Sequence, residues 1–184
     1  QGLNGWLWGL ITLDSMKYNI PAGSSYTRTE MIKRILSFQL PDNGFNLRFA
    51  QGSTADPDIT AMAIQALAPY YRNSTFNVKD PVDKALDCLS KLQLDTGDFR
   101  SWGTRNSESV SQIIVSLCSI GVDPQNDSRF IKNGINLLDA LFYYQQEDGG
   151  FAHSYESDPG NPSAIPGESN SIATDQALLA LVAV

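Results

Sequence analysis

The sequence predicts an all-α protein built from a repeated pair of helices, and three observations lead there. The stretch Gln39-Leu-Pro-Asp-Asn-Gly-Phe45 returns as Gln93-Leu-Asp-Thr-Gly-Asp-Phe99 and as Gln145-Gln-Glu-Asp-Gly-Gly-Phe151. The three Phe lie 54 and 52 residues apart, and self-similarity at such a period marks a repeat architecture. Each copy ends one apolar periodic segment and leads through a polar loop into a second. Those second segments also align: Asp58–Leu67 over Glu108–Leu117 over Ile172–Leu181, with small residues at Ala63, Ser116 and Ala177 beside apolar Ile64, Ile114 and Leu178. They are apolar over most of their circumference, the mark of buried helices. The segments before the glycine turns carry more charge, as at Glu30, Lys33 and Arg34. Buried and half-solvated helices in alternation imply an inner and an outer layer.

Taken in order, Leu3 to about Lys17 reads as the first inner helix, with an apolar band of Trp6, Leu7, Leu10, Ile11 and Leu13. Asn19–Tyr26 is a loop. Thr27-Arg-Thr-Glu30 has the form of a capping box opening an outer helix, which Pro41 and Gly44 stop near Gln39. Asp56-Pro57 starts the second inner helix, Asp as N-cap and Pro at its first position. Asp80-Pro81 is expected to repeat the device for an outer helix running to Gln93. The third inner helix runs from about Ser107 to Ile120 and is stopped by Gly121. A third outer helix is expected over Asp127–Gln146, then the long loop Phe151–Gly167, then a last inner helix from about Ser169. The result is roughly seven helices in one domain, 1–184, with no strand.

Composition sets limits. The 184 residues can bury one core, and a formal charge of −7 argues against nucleic acid or an anionic membrane surface as partner. No apolar run approaches a membrane span, so direct membrane insertion is not expected. Gln1 and the uncapped final helix suggest a piece of a longer protein, with neighbouring domains as partners. Cys88 and Cys118 read as two buried free thiols in apolar surroundings, with a disulfide between them left open because sequence gives no distance.

Glycine turns that follow a Gln and precede an aromatic resemble the QW-type repeats of the terpenoid cyclase and protein prenyltransferase superfamily. Phe45, Phe99 and Phe151 stand where that motif has Trp. The resemblance implies an α/α toroid, here a partial one. Leu3-Asn-Gly-Trp-Leu-Trp8, Ser53–Tyr70 and Trp102-Gly-Thr-Arg-Asn-Ser-Glu-Ser109 are similar to prenyltransferase-like toroid domains in surface or secreted proteins of Gram-positive bacteria, which accompany transcobalamin-like modules. An extracellular or cell-surface location follows from that resemblance alone.

Asp56-Pro-Asp58-Ile-Thr60 resembles the Asp-x-Asp-Asp-Thr motif with which class II cyclases protonate an alkene. Ile59 replaces the third Asp, so the acid constellation is incomplete. Asp56 and Asp58 serve equally as N-cap and first-turn acid, favoured by the helix dipole. A prenyltransferase zinc site is not expected, because the only His is His153, in a loop, and no Asp-x-Cys occurs. The resemblance to cobalamin carriers allows that His a cobalt-ligand role; by itself it reads as solvent-exposed. Asp42, Asp95, Asp98 and Asp148 read as turn formers. No metal and no cofactor is expected.

Inner helices share a direction, so their N-termini gather on one rim. That rim is expected to carry Asp58, Trp102, Glu108, His153 and Tyr155, with Asp175 slightly deeper, a mix suited to a small-molecule or glycan ligand. The favoured reading is a non-catalytic binding or interaction module taking a corrinoid or a glycan. The alternatives are an isoprenoid cyclase or prenyltransferase, with Asp58 and Asp56 catalytic, and a structural spacer.

Overall fold

A computed structural model describes residues 2–184. Four inner helices, α1 (Leu3–Ser15), α3 (Pro57–Leu67), α5 (Ser107–Ile120) and α7 (Ser171–Ala183), pack side by side in that order. Three outer helices, α2 (Arg28–Leu36), α4 (Lys79–Leu92) and α6 (Leu137–Phe142), lie against α1, α3 and α5 respectively. Between the layers sits one core, including Leu7, Ile64, Leu89, Ile114 and Leu141, each at most 1% exposed. Full burial of such a side chain is worth about 1.5–3 kcal/mol, against a few tenths for helix propensity. Packing therefore sets the layers.

Local chemistry sets the ends. Thr27 and Glu30 form the reciprocal box, with the Thr27 amide donating to Glu30 Oε2 at 2.7 Å. Asp56 caps α3 by accepting the Ile59 amide at 3.0 Å, and Asn106 caps α5 by accepting that of Ser109 at 2.8 Å. Gly121, at φ 79°, closes α5 in the left-handed region.

The repeat motif works as a staple. Gln39 Nε2 donates to Asn43 O within its own turn and to Pro81 O of the next repeat, at 2.8 and 2.9 Å. Gln93 Nε2 donates to Gly97 O and to Phe130 O in the same way, at 2.8 and 3.1 Å. Gln145, in the last repeat, is exposed and its side chain makes no hydrogen bond among the described residues. Phe45, Phe99 and Phe151 are all buried at 1% exposure or less.

Four expectations are corrected. The helix expected over Asp127–Gln146 is broken into a 3-10 turn at Ser128–Phe130 and the short α6. Asn133 and Gly134 both take positive φ, 51° and 82°, and form a tight turn between Lys132 and Ile135, as Asn-Gly favours. Asp80 is not an N-cap. It lies inside α4, whose N-cap is Val78, and pairs with Lys84 at 2.7 Å. A short hairpin does occur, β1 (Arg100–Ser101) with β2 (Thr104–Arg105). Its turn is Trp102-Gly103 at φ 50° and 98°; Trp rarely adopts that conformation, so the pattern gave no strand signal. Finally, Cys118 is only half-buried while Cys88 is buried; both are free.

Candidate functional site

The capped ends of α3 and α5 bring a cluster of acids together. Asp56, at the α3 N-cap, also accepts the Ser101 hydroxyl at 2.7 Å, which ties β1 to α3. Two residues on, the Asp58 carboxyl has its Oδ1 fully buried with no hydrogen-bond partner. Burial above all, then the charges of Asp56 and, more weakly, Glu108, push its pKa up to about 6, against the opposing pull of the Ser109 and Ser101 hydroxyls. Glu108 occupies the matching position on α5.

His153 is a correction to the sequence reading. It is only 8% exposed. Its Nδ1 lies 2.8 and 2.9 Å from the two Glu108 oxygens, and its Nε2 lies 3.0 Å from Asp158 Oδ2. A carboxylate at each nitrogen favours the doubly protonated ring, in which both nitrogens donate. Burial works against that charge, but Glu108 foremost and then Asp158 outweigh it and raise the His153 pKa. The backbone joins in, as the Ser107 amide donates to His153 O at 3.0 Å and the Ser107 hydroxyl to Ala152 O at 2.7 Å. His153 thus buckles the long loop to the α5 N-terminus. A bidentate pair of Arg100 with Glu156, at 2.8 and 3.0 Å, ties the same loop to the hairpin.

Three expected rim residues stand apart from this cluster. Trp102 is 59% exposed at the hairpin tip, with the Arg48 guanidinium 5.5 Å from its ring centroid. Tyr155 packs on Tyr143 and Tyr144, and its hydroxyl accepts from Gln146 Nε2 at 2.9 Å. Asp175 is exposed on α7, where the corresponding α3 and α5 residues, Ala61 and Ser111, are buried. Asp42 and Asp148 act as turn formers, accepting the Gly44 and Gly150 amides. Asp98 is instead locked by Arg105 at 2.7 Å and by the Tyr144 hydroxyl at 2.7 Å. Among the described residues no group of three or more His, Cys, Asp or Glu could hold a metal ion, and no helix is long and apolar enough to cross a membrane.

One feature of the inner face was not anticipated. The outer helices leave one stripe of each inner helix uncovered: Asp58, Met62 and Gln65 on α3, and Glu108, Gln112 and Val115 on α5, all half-buried. Across it runs a row of amides. Gln65 Nε2 donates to Gln112 Oε1 at 2.8 Å, and Gln112 Nε2 donates to Gln176 Oε1 of α7 at 2.9 Å. The signal was present in the repeat alignment, where Gln112 and Gln176 share a position. Trp8, 54% exposed on α1, brings an aromatic ring to the uncovered side of that helix.

Alternating inner and outer helices, stapled by Gln-led glycine turns, define a repeat protein of the α/α-toroid class. The squalene-hopene cyclase C-terminal domain family matches residues 35–184, and the chain belongs to that family. No curated protein matches it.

Proposed function

We propose that the domain is a non-catalytic binding module, in a bacterial surface or secreted protein, that takes a polar small molecule such as a corrinoid or a glycan on its inner face. The observation that carries the reading is the Gln65–Gln112–Gln176 row. A cyclase must hold a carbocation in a dry, aromatic-walled cavity, and carboxamides supply nucleophilic oxygens that would quench it. The same amides suit a ligand rich in hydroxyls or amides, because each can donate and accept. The acid motif also lacks its third carboxylate: Ile59 is 6% exposed and packed into the core.

One observation favours the second reading, an acid catalyst. Asp58 combines a raised pKa of about 6 with a buried, unpartnered oxygen, and perturbed carboxyls of this kind gather at functional sites. A thermal-shift panel of corrinoids, cell-wall and mucin glycans and isoprenyl diphosphates separates the two. A ligand at one hundred times its Kd stabilises by about 2.7 kcal/mol, roughly 5–10 °C in a domain of this size. The binding-module reading expects a corrinoid or glycan shift that Gln112→Leu abolishes and Asp58→Asn leaves in place. An isoprenoid shift abolished by Asp58→Asn would overturn it.

A further inference from the structure

The hairpin beside the acid cluster holds a bulky side chain where its backbone favours a small one. Trp102 and Gly103, at φ 50° and 98°, are the two residues between β1 and β2. Positive φ at both turn positions is what Asn-Gly suits; a Trp there is an outlier, because its Cβ crowds the following carbonyl. Burial does not offset that strain, since the indole is 59% exposed. Stability of the fold therefore gives no reason for a Trp at this position, and strain of this kind gathers at functional sites.

The indole is exposed but held in place. The Ser101 hydroxyl donates to Asp56 at the start of α3, and the Arg100 guanidinium bridges Gly103 O, in the turn itself, to Glu156 of the long loop. From the preceding repeat, Arg48 sets its guanidinium over the ring. The loop carrying Arg48 is tied by its amide, which donates to Asn46 Oδ1 at 3.0 Å, and by Asn46 Nδ2, which donates to Thr54 O at 2.8 Å. One face of the indole is thus occupied and the other is left open. The rest of the hairpin is Arg100, Ser101, Gly103, Thr104 and Arg105, and the neighbouring Phe49 turns to Phe38, ring to ring at 5.3 Å. A protein or membrane contact needs a contiguous apolar patch; here a single flat apolar face has a polar border.

We propose that Trp102 is a sugar-stacking platform, taking one β-linked, gluco-configured pyranose of a glycan on its open face. Such a ring matches the surface: its axial C–H groups form an apolar face for the electron-rich indole, and its equatorial hydroxyls leave the edge polar. The indole N–H and the Arg48 guanidinium, neither hydrogen-bonded among the described residues, donate to those hydroxyls. A platform already rigid loses little freedom on binding. This role rests on the binding-module reading and selects a glycan over a corrinoid. Asp58 heads the uncovered stripe of α3, two residues from the Asp56 to which Ser101 is bonded. The platform therefore stands beside the capped end of that stripe, in position to hold a sugar beyond the glutamine row.

Isothermal titration of cellotetraose and of chitotetraose tests it on the full chain, comparing wild type, Trp102→Asn and Gln112→Leu. The wild type is expected to bind at least one of the two sugars. Trp102→Asn is expected to weaken that binding roughly tenfold or more, while its melting temperature stays level or rises because the turn is relieved. Binding weakened in Gln112→Leu as well would support one glycan spanning row and platform. Binding lost in Gln112→Leu but intact in Trp102→Asn would overturn the platform and keep the inner-face site; the reverse would keep the platform and overturn the inner-face site. A wild type that binds neither sugar would overturn the platform, and a corrinoid shift would then uphold the module reading without it. A clear fall in the melting temperature of Trp102→Asn would overturn it too, since the indole would then serve the fold.

Discussion

At the scale of single residues, two buried titratable groups set the pH response. Asp58 rises from 3.8 to about 6 on folding, so the folded state binds its proton more tightly than the unfolded state does. Its contribution is complete below the unfolded value and lost as pH rises through about 6. By linkage the full shift corresponds to about 3 kcal/mol of destabilisation at neutral pH, before relaxation or water entry. Asp58→Asn keeps the shape and removes the charge. It is expected to raise the melting temperature near pH 8 and to lose that advantage near pH 4, roughly the span the two pKa values define. A difference between variant and wild type that stays flat over that range would contradict the placement of Asp58. His153 has the same sign by a different cause. Its raised pKa means that the clasp to Glu108 and Asp158 holds fully below the ordinary histidine range and slackens as pH rises through the folded value. His153→Gln is therefore expected to destabilise more in mild acid than in alkali, read as melting temperature against pH. Such a clasp was hidden in the sequence. Position 153 reads as a lone loop histidine, and its partners lie 45 residues upstream and five downstream. Spacing cannot show that a loop folds back onto a helix end.

Among elements, the glycine turns carry the repeat-to-repeat packing. Gly97 and Gly149 both sit near φ 85°, at 83° and 86°, so Ala strains the backbone similarly at each. Only Gly97 faces the next repeat, where an added Cβ would lie 2.8 Å from Ile135 Cγ2. Gly149→Ala is expected to lose about 1–2 kcal/mol, and Gly97→Ala about 1–3 kcal/mol more for overpacking. Denaturant midpoints measure the difference. Equal losses would mean that the turn of the second repeat is not clamped by the third. Element identity was largely legible, because the Gln-to-Phe motif and the caps at Thr27, Asp56 and Gly121 are local signals. Where reading failed, local signals competed. Asn133-Gly134 interrupted an apolar periodicity that otherwise continued to Gln146. At the hairpin, the strands are two residues each and the turn uses a Trp. Asp80-Pro81 copied the Asp56-Pro57 pattern, yet α4 begins earlier, since Pro81 is tolerated anywhere in a first turn that has no intrahelical amide bonds to lose.

For the whole molecule, layer order followed from composition by segment, and the family match to residues 35–184 agrees with the repeat resemblance. The acidic cluster was half legible: Asp58, Glu108 and His153 gather there, whereas Trp102, Tyr155 and Asp175 point to other surroundings. The glutamine row was visible only as a coincidence of alignment, because a half-buried Gln has no periodicity of its own. On this fold the polarity of the inner face decides between chemistry and binding, since proton-initiated cyclisation needs a wall without nucleophiles. The most direct test is product analysis after incubating the domain with squalene and with linear isoprenyl diphosphates, from mildly acidic pH, where Asp58 holds its proton, to neutral pH, where it has largely lost it. The account predicts unchanged substrate with the wild type and with Asp58→Asn alike. A cyclised product formed by the wild type and lost in Asp58→Asn would contradict it.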